Sequence, residues 1–178
     1  CIKCGACTKV CQKNSLPEFN KPIIWKQGWA NNAEDHSAAA SGGAVTAIVK
    51  SFKNKGGIIY LCKFINGKFS YCELKSINQM VEFAGSKYVK SSMEKIYKQV
   101  KESLLQNKNV LFVGLPCQIA GLKKYVDPNL QCRLYTIDLI CHGTPSAEFL
   151  NKYLKEQDIS LNDAFSVSFR HNNDFNLT

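Results

Sequence analysis

The sequence predicts an α/β (mixed α+β) domain with a parallel-rich sheet, flanking helices and a β-hairpin, preceded by a small N-terminal cysteine module. Three observations predict it. Short, almost wholly apolar runs such as NVLFVG alternate with helical patterns over residues 109–170, and parallel strands need crossovers of that kind. Asn66-Gly67 between two alternating runs is the signature of a two-residue hairpin turn. Cys1, Cys4, Cys7 and Cys11 open the chain at C-x2-C-x2-C-x3-C spacing, with Gln12 where proline usually follows.

At 178 residues the chain is long enough for one full core. Its 45% hydrophobic and 21% charged residues are ordinary for a globular protein, which argues against disorder. No apolar run reaches the length of a membrane span. The net charge of +9 is carried by scattered lysines, which reads as a solvated surface and not as a nucleic-acid footprint. Nine cysteines, an odd number at ferredoxin spacing, point to reduced thiols and a cytoplasmic location. The first residue already belongs to a motif and there is no initiator Met, so the chain reads as a fragment.

In order, residues 1–14 are the cysteine module and 15–35 an irregular connector with two prolines. Residues 36–108 form the first part of the main domain, and 109–178 its second, truncated part. SGGAVTAIVKSFKNKGG is a helix opened by small residues and stopped at Gly56-Gly57. GIIYLCKFINGKFSYCEL is the hairpin. Counting outward from its turn sets Cys62 opposite Tyr71 and Leu61 opposite Cys72, so the two cysteines lie on opposite faces and cannot be bridged. SMEKIYKQVKESLLQNK carries Ile96, Val100, Leu104 and Leu105 at helical spacing, with Ser91 or Ser92 as cap. NVLFVG is a buried strand, LPCQIAGLKKYV a helix and CRLYTIDLIC a second buried strand. TPSAEFLNKYLKEQ is a further helix, and AFSVSFR begins a third strand. Cys62, Cys72 and Cys132 sit in strand patterns and read as core thiols.

Cys1, Cys4, Cys7 and Cys11 have the spacing of a 4Fe–4S site: two-residue spacers place sulfurs at successive irons, and Gly5 lets the backbone turn. Zinc is the alternative, but its sites favour paired C-x2-C units separated by a longer arm.

Read in order behind that motif, ASGGAVTAIV, GSKYVKS, FVGLPCQIAGLKKYV and DLICHGTPS resemble the coenzyme F420 hydrogenase/dehydrogenase beta-subunit family. The bacterial form of that family is fused to a 4Fe–4S ferredoxin module, and the resemblance covers essentially the whole chain. It implies an iron–sulfur flavoprotein oxidoreductase that binds FAD. Such a protein passes electrons between FAD, a 4Fe–4S cluster and, in archaeal members, the deazaflavin coenzyme F420. The partners implied are a redox protein or subunit that supplies electrons and a small-molecule acceptor, with no nucleic acid. Family members usually carry two cysteine motifs and further downstream cysteines; this sequence has one motif and stops earlier.

Several residues are candidates on their own chemistry. Ser41, Gly42 and Gly43 stand where an irregular segment enters a helix, and free N–H groups there attract a pyrophosphate. An ordinary helix start is the competing reading, and the resemblance favours the cofactor. Gly114, Pro116 and Gln118 follow a buried strand and open a helix, the place where α/β sheets put ligands. Cys117 in that first turn is a candidate catalytic thiol, since the helix dipole favours thiolate there; a flavin neighbour, a cluster ligand and a packed cysteine are the alternatives. His142 ends the next strand and is a candidate proton donor, or else a structural hydrogen-bonding residue. Lys87 and Tyr88 are candidates for an anionic group and a stacked ring, or a plain surface loop.

The competing function is a zinc-stabilised, basic nucleic-acid-binding module on the four N-terminal cysteines. It requires aromatics interleaved with lysines on an exposed face.

Overall fold

Alternate side chains of Val110–Gly114 face two directions and all five residues are buried, so helices must cover the sheet on both sides. The computed structural model describes residues 5–11, 13–14, 16–17, 20–170 and 177. In chain order it contains α1 (Ala6–Val10), α2 (Ala33–Ser37), α3 (Ala44–Asn54), β1 (Ile58–Ile65) and β2 (Lys68–Glu73). There follow α4 (Met80–Phe83), α5 (Ile96–Leu105), β3 (Val110–Gly114), α6 (Pro116–Tyr125), β4 (Leu134–Asp138) and α7 (Ala147–Lys155). Among the described residues no helix is long and apolar enough to cross a membrane.

The strands form one four-stranded sheet in the order β2-β1-β3-β4. β1 and β2 are the antiparallel hairpin, whereas β1 with β3 and β3 with β4 are parallel. Asn66 at φ 48° and Gly67 at φ 72° make the expected two-residue turn. The register follows from it: Ile65 pairs with Lys68, Cys62 with Tyr71 and Leu61 with Cys72.

On one face Tyr60, Val110 and Phe112 pack against Ile96, Val100 and Leu104 of α5 and Ile119 and Leu122 of α6. On the other, Ile59, Leu61, Leu111 and Val113 pack against Val49 of α3 and Met80 and Phe83 of α4. A third cluster seats Leu150 and Leu154 of α7 on Phe69, with Cys62 and Phe64 beside it. Cys72 joins the α3/α4 side instead, so the two hairpin thiols do lie on opposite faces, and both are free.

Five expectations need correction. β4 covers only Leu134–Asp138, and it is half exposed because it forms the sheet's edge. Pro128–Arg133 before it is a 3₁₀ turn, which leaves Cys132 exposed instead of in the core. Residues 164–170 form no strand: Phe169 turns toward Phe69, at 5.6 Å between ring centroids, and Arg170 Nη1 donates to Ala40 O at 2.6 Å. The parallel set is completed by β1 instead.

Neither Ser91 nor Ser92 caps α5, whose N-cap is Lys95, without a side-chain bond. Ser92 pairs with the hairpin (its N donates to Phe69 O at 2.7 Å), while the Ser91 hydroxyl accepts from Gln118 Nε2 at 3.0 Å. Leu105 falls off the α5 stripe and is exposed.

Phe112→Ala empties the centre of the larger cluster and is expected to cost about 3–5 kcal/mol. Leu105→Ala, on the exposed side of α5, should stay within about 0.5 kcal/mol of the parent. Urea denaturation of the two variants side by side checks both values.

Candidate functional site

β3 and β4 both end on one edge of the sheet, at Gly114 and Asp138, which pair with each other. That edge gathers the GLPCQ loop and the 139–145 loop, and the Leu139 amide donates to Gly114 O at 2.9 Å. β1 overshoots β3 here, because its pairing with β3 stops at Tyr60, and it carries Cys62 opposite Tyr71.

Gln118 is the centre of the GLPCQ loop. Its Oε1 accepts from Tyr71 OH at 2.7 Å and from the Leu115 amide at 2.9 Å, and its Nε2 donates to Ser91. Tyr97 OH donates to its backbone carbonyl at 2.6 Å. Tyr71 also stacks on Phe112 with ring centroids 5.0 Å apart. Burial pushes the Tyr71 hydroxyl well up from its ordinary range and the Tyr97 hydroxyl up to about 12, so both are neutral donors. A Cβ on Gly114 would lie 2.7 Å from the Phe112 ring and 3.1 Å from Tyr71 OH, so this glycine answers to the protein's own packing.

Cys117 follows as the second residue of α6 and is exposed. His142 lies four residues beyond the end of β4, exposed in the loop, beside a Gly143 amide that donates to Cys141 Sγ at 3.3 Å. The structure thus places Cys117 and His142 on the same sheet edge, although among the described residues no hydrogen bond joins them. Asp138, the first residue of the DLICHGTPS run, ends β4 opposite Gly114; burial raises its carboxyl from its ordinary value.

The Ser41–Gly43 segment opens α3. Gly43 takes the left-handed φ of 72° as N-cap, with no side chain capping the helix. The tight approach at these glycines is to the preceding chain: a Cβ on Gly42 would meet Trp29 Cβ at 2.9 Å, and one on Gly43 would meet Asp35 O at 2.7 Å. Asp35 in turn holds Lys50 of α3 at 2.6 and 2.7 Å. Arg170 arrives beside Ser41 through its bond to Ala40 O, a cation 130 residues away in sequence that no local pattern flags.

Lys87 is inward-facing. Its ammonium donates to the carbonyls of Phe83, Ala84 and Gly85 at 2.6, 2.7 and 3.0 Å, closing the end of α4. Burial lowers it to about 8, opposed by the nearby Cys62, whose own thiol burial pushes up to about 11. Tyr88 is more exposed and meets the Phe169 ring edge-on at 5.9 Å.

Of the cysteine module, Cys1 and Cys4 lie outside the described residues, Cys7 lies in α1, and Cys11 caps that helix, half buried. Gly5 takes φ 73°, the turn such a loop needs, and α1 rests on α6, the helix whose first turn carries Cys117. Among the described residues no group of three or more metal-ligating side chains is assembled. Two open grooves of about 400 and 310 Å³ lie elsewhere, between β1, β2 and α5 and between α2, α3 and α4. Neither is lined by a sequence-predicted site residue; both are lined by side chains already engaged with each other, such as Tyr60 with Ser103 and Asp35 with Lys50.

Helices on both faces of a mostly parallel four-stranded sheet define a mixed α/β protein. Residues 107–178 match the family model for the C-terminal part of the coenzyme F420 hydrogenase/dehydrogenase beta subunit. The fold is similar to that of a chain in the F420-reducing NiFe hydrogenase complex from Methanosarcina barkeri. The TM-score is 0.62 at 16% identity, over 86% of this chain and 58% of that one. This chain therefore spans less than two thirds of the length of that neighbour. No curated protein matches the sequence.

The Lys87 site gives a pH signature. An unfolded lysine keeps its proton to about pH 10.4, whereas the native one loses it near 8, so stability rises as pH climbs between those values. Cys62 acts in the opposite direction from about pH 8.5 to 11, since the unfolded thiol ionises first. In a Cys62→Ser background, urea unfolding should therefore gain about 1–3 kcal/mol from pH 7.5 to 9.5. Lys87→Met should remove that gain; equal slopes with and without Lys87 would contradict the assignment.

Proposed function

We propose that this chain is the cofactor-binding part of a flavin-dependent, iron–sulfur oxidoreductase. Its main domain takes FAD, and residues 1–14 hold a 4Fe–4S cluster beside it. The observation that carries the reading is the beta-subunit family match, which falls on the loops at the carboxyl edge of β3 and β4. Cys1, Cys4, Cys7 and Cys11 would hold the cluster, whose thiolate donor set suits iron. Ser41, Gly42 and Gly43 with Arg170 offer amides and a cation at the uncapped start of α3, which suits a pyrophosphate. The GLPCQ and 139–145 loops, with Cys117 and His142, would flank the ring.

When bound, the flavin couples single-electron transfer to a two-electron hydride step, and the cluster carries single electrons. This chain's residues bind and orient. Gln118 fixes the loop, and His142, exposed at the edge, would give or take the proton. Lys87 serves the reading indirectly, by fixing the turn that leads to Tyr88 and Ser91. The acceptor is a deazaflavin-type coenzyme or another small molecule, and the electrons come from a redox partner protein.

A specific observation also favours the nucleic-acid reading. Residues 20–29 expose Trp25 and Trp29 beside Lys21 and Lys26, the aromatic–lysine interleaving that single strands use. One spectrum separates the two. Protein purified and reconstituted anaerobically with iron, sulfide and FAD should show flavin peaks over a broad brown absorption. Colourless protein with stoichiometric zinc and no retained flavin would overturn the redox reading in favour of the other.

A further inference from the structure

The start of α6 differs from that of α3 in what it leaves free. A helix start normally presents several unpaired amides, which is why it attracts phosphate. At α6 those amides are already engaged. Pro116 has none, the Leu115 amide is held by Gln118 Oε1, and the amides of Gln118 and Ile119 both donate to Leu115 O, at 2.9 and 3.0 Å. Among the described residues only the Cys117 amide of this turn has no acceptor, and its thiol is exposed beside it.

Gln118 is what closes the turn, and it is not free to rotate away. It is 8% exposed, Tyr71 and Ser91 grip its two amide ends, and Tyr97 holds its carbonyl. Its side chain acts as a cap reaching back from the third helical position, but from the buried side of the loop.

We infer that Gln118 is a positioning residue: it closes the start of α6 from within, so the loop offers a ligand only the Cys117 amide and thiol. One amide beside one soft sulfur suits the acceptor edge of a planar flavin-type ring; three oxygens of a phosphate find no cradle there. The ring part of this inference rests on the flavin reading above, whereas the positioning part does not.

The test uses the full chain and two separate readouts. The first is alkylation of Cys117 by iodoacetamide, followed peptide by peptide by mass spectrometry with Cys141 as internal reference. Gln118→Met, which keeps the volume and loses the bonds, should change the Cys117 rate at least fivefold relative to Cys141. Gln118→Glu, which keeps an acceptor for Leu115 and Tyr71, should restore it to within twofold of the parent. A folded Gln118→Met protein with the parental Cys117 rate overturns the positioning role. If that variant does not fold, the Tyr71→Phe, Ser91→Ala double variant is held to the same thresholds.

The second readout is the Cys117 amide resonance, titrated with riboflavin and separately with inorganic phosphate. Riboflavin should shift it and phosphate should not; a phosphate shift overturns the ring assignment. No response to riboflavin, together with the expected alkylation pattern, overturns the flavin reading and leaves the positioning role standing.

Discussion

The constraint on which the rest of the structure depends is the burial of β3 on both faces. A strand with Val110, Phe112, Leu111 and Val113 pointing alternately into two cores needs a strand on each side and helices above and below. β1 and β4 flank it, α5 and α6 supply one layer, and α3 and α4 the other. Once that arrangement forms, Gly114 and Asp138 stop at the same level, and the connections leaving them must run over one edge. The site follows from that placement of strand ends, with side chains added where the chain emerges.

At that edge a core problem and a site problem share one solution. The loop after β3 must turn sharply into α6, which exposes amides beside an apolar layer. Gln118, Tyr71, Ser91 and Tyr97 satisfy the loop from the inside, and among the described residues no buried side-chain polar atom lacks a partner. The same bonds limit what the loop can offer outward. By contrast, the start of α3 is uncapped by any side chain and has Arg170 beside it, so the two helix starts are chemically unlike.

Much of this is legible in the sequence where the signal is local. Asn66-Gly67 sets its own turn, and period-two alternation then fixes every pair of the hairpin, down to Cys62 facing Tyr71. The order of apolar runs and helical patterns locates β3, α6 and α7 to within three residues. The misses share the opposite property. AFSVSFR has strand composition, but Phe169 finds Phe69 and Arg170 finds Ala40, and those partners lie far back in the chain. The Gln118 bonds are likewise invisible locally, because its partners Tyr71 and Ser91 stand 47 and 27 residues away. Nor does anything local announce that three carbonyls at the end of α4 will claim the Lys87 ammonium.

The central claim is that the carboxyl edge of the parallel strands, with the start of α3, is where a flavin dinucleotide sits. Hydrogen–deuterium exchange with and without saturating FAD tests it most directly. The account predicts slowed exchange in peptides covering residues 39–46, 114–118 and 139–145, with the opposite edge around 105–109 unchanged. Slowed exchange confined to that opposite edge, or no change anywhere in the presence of FAD, would contradict it.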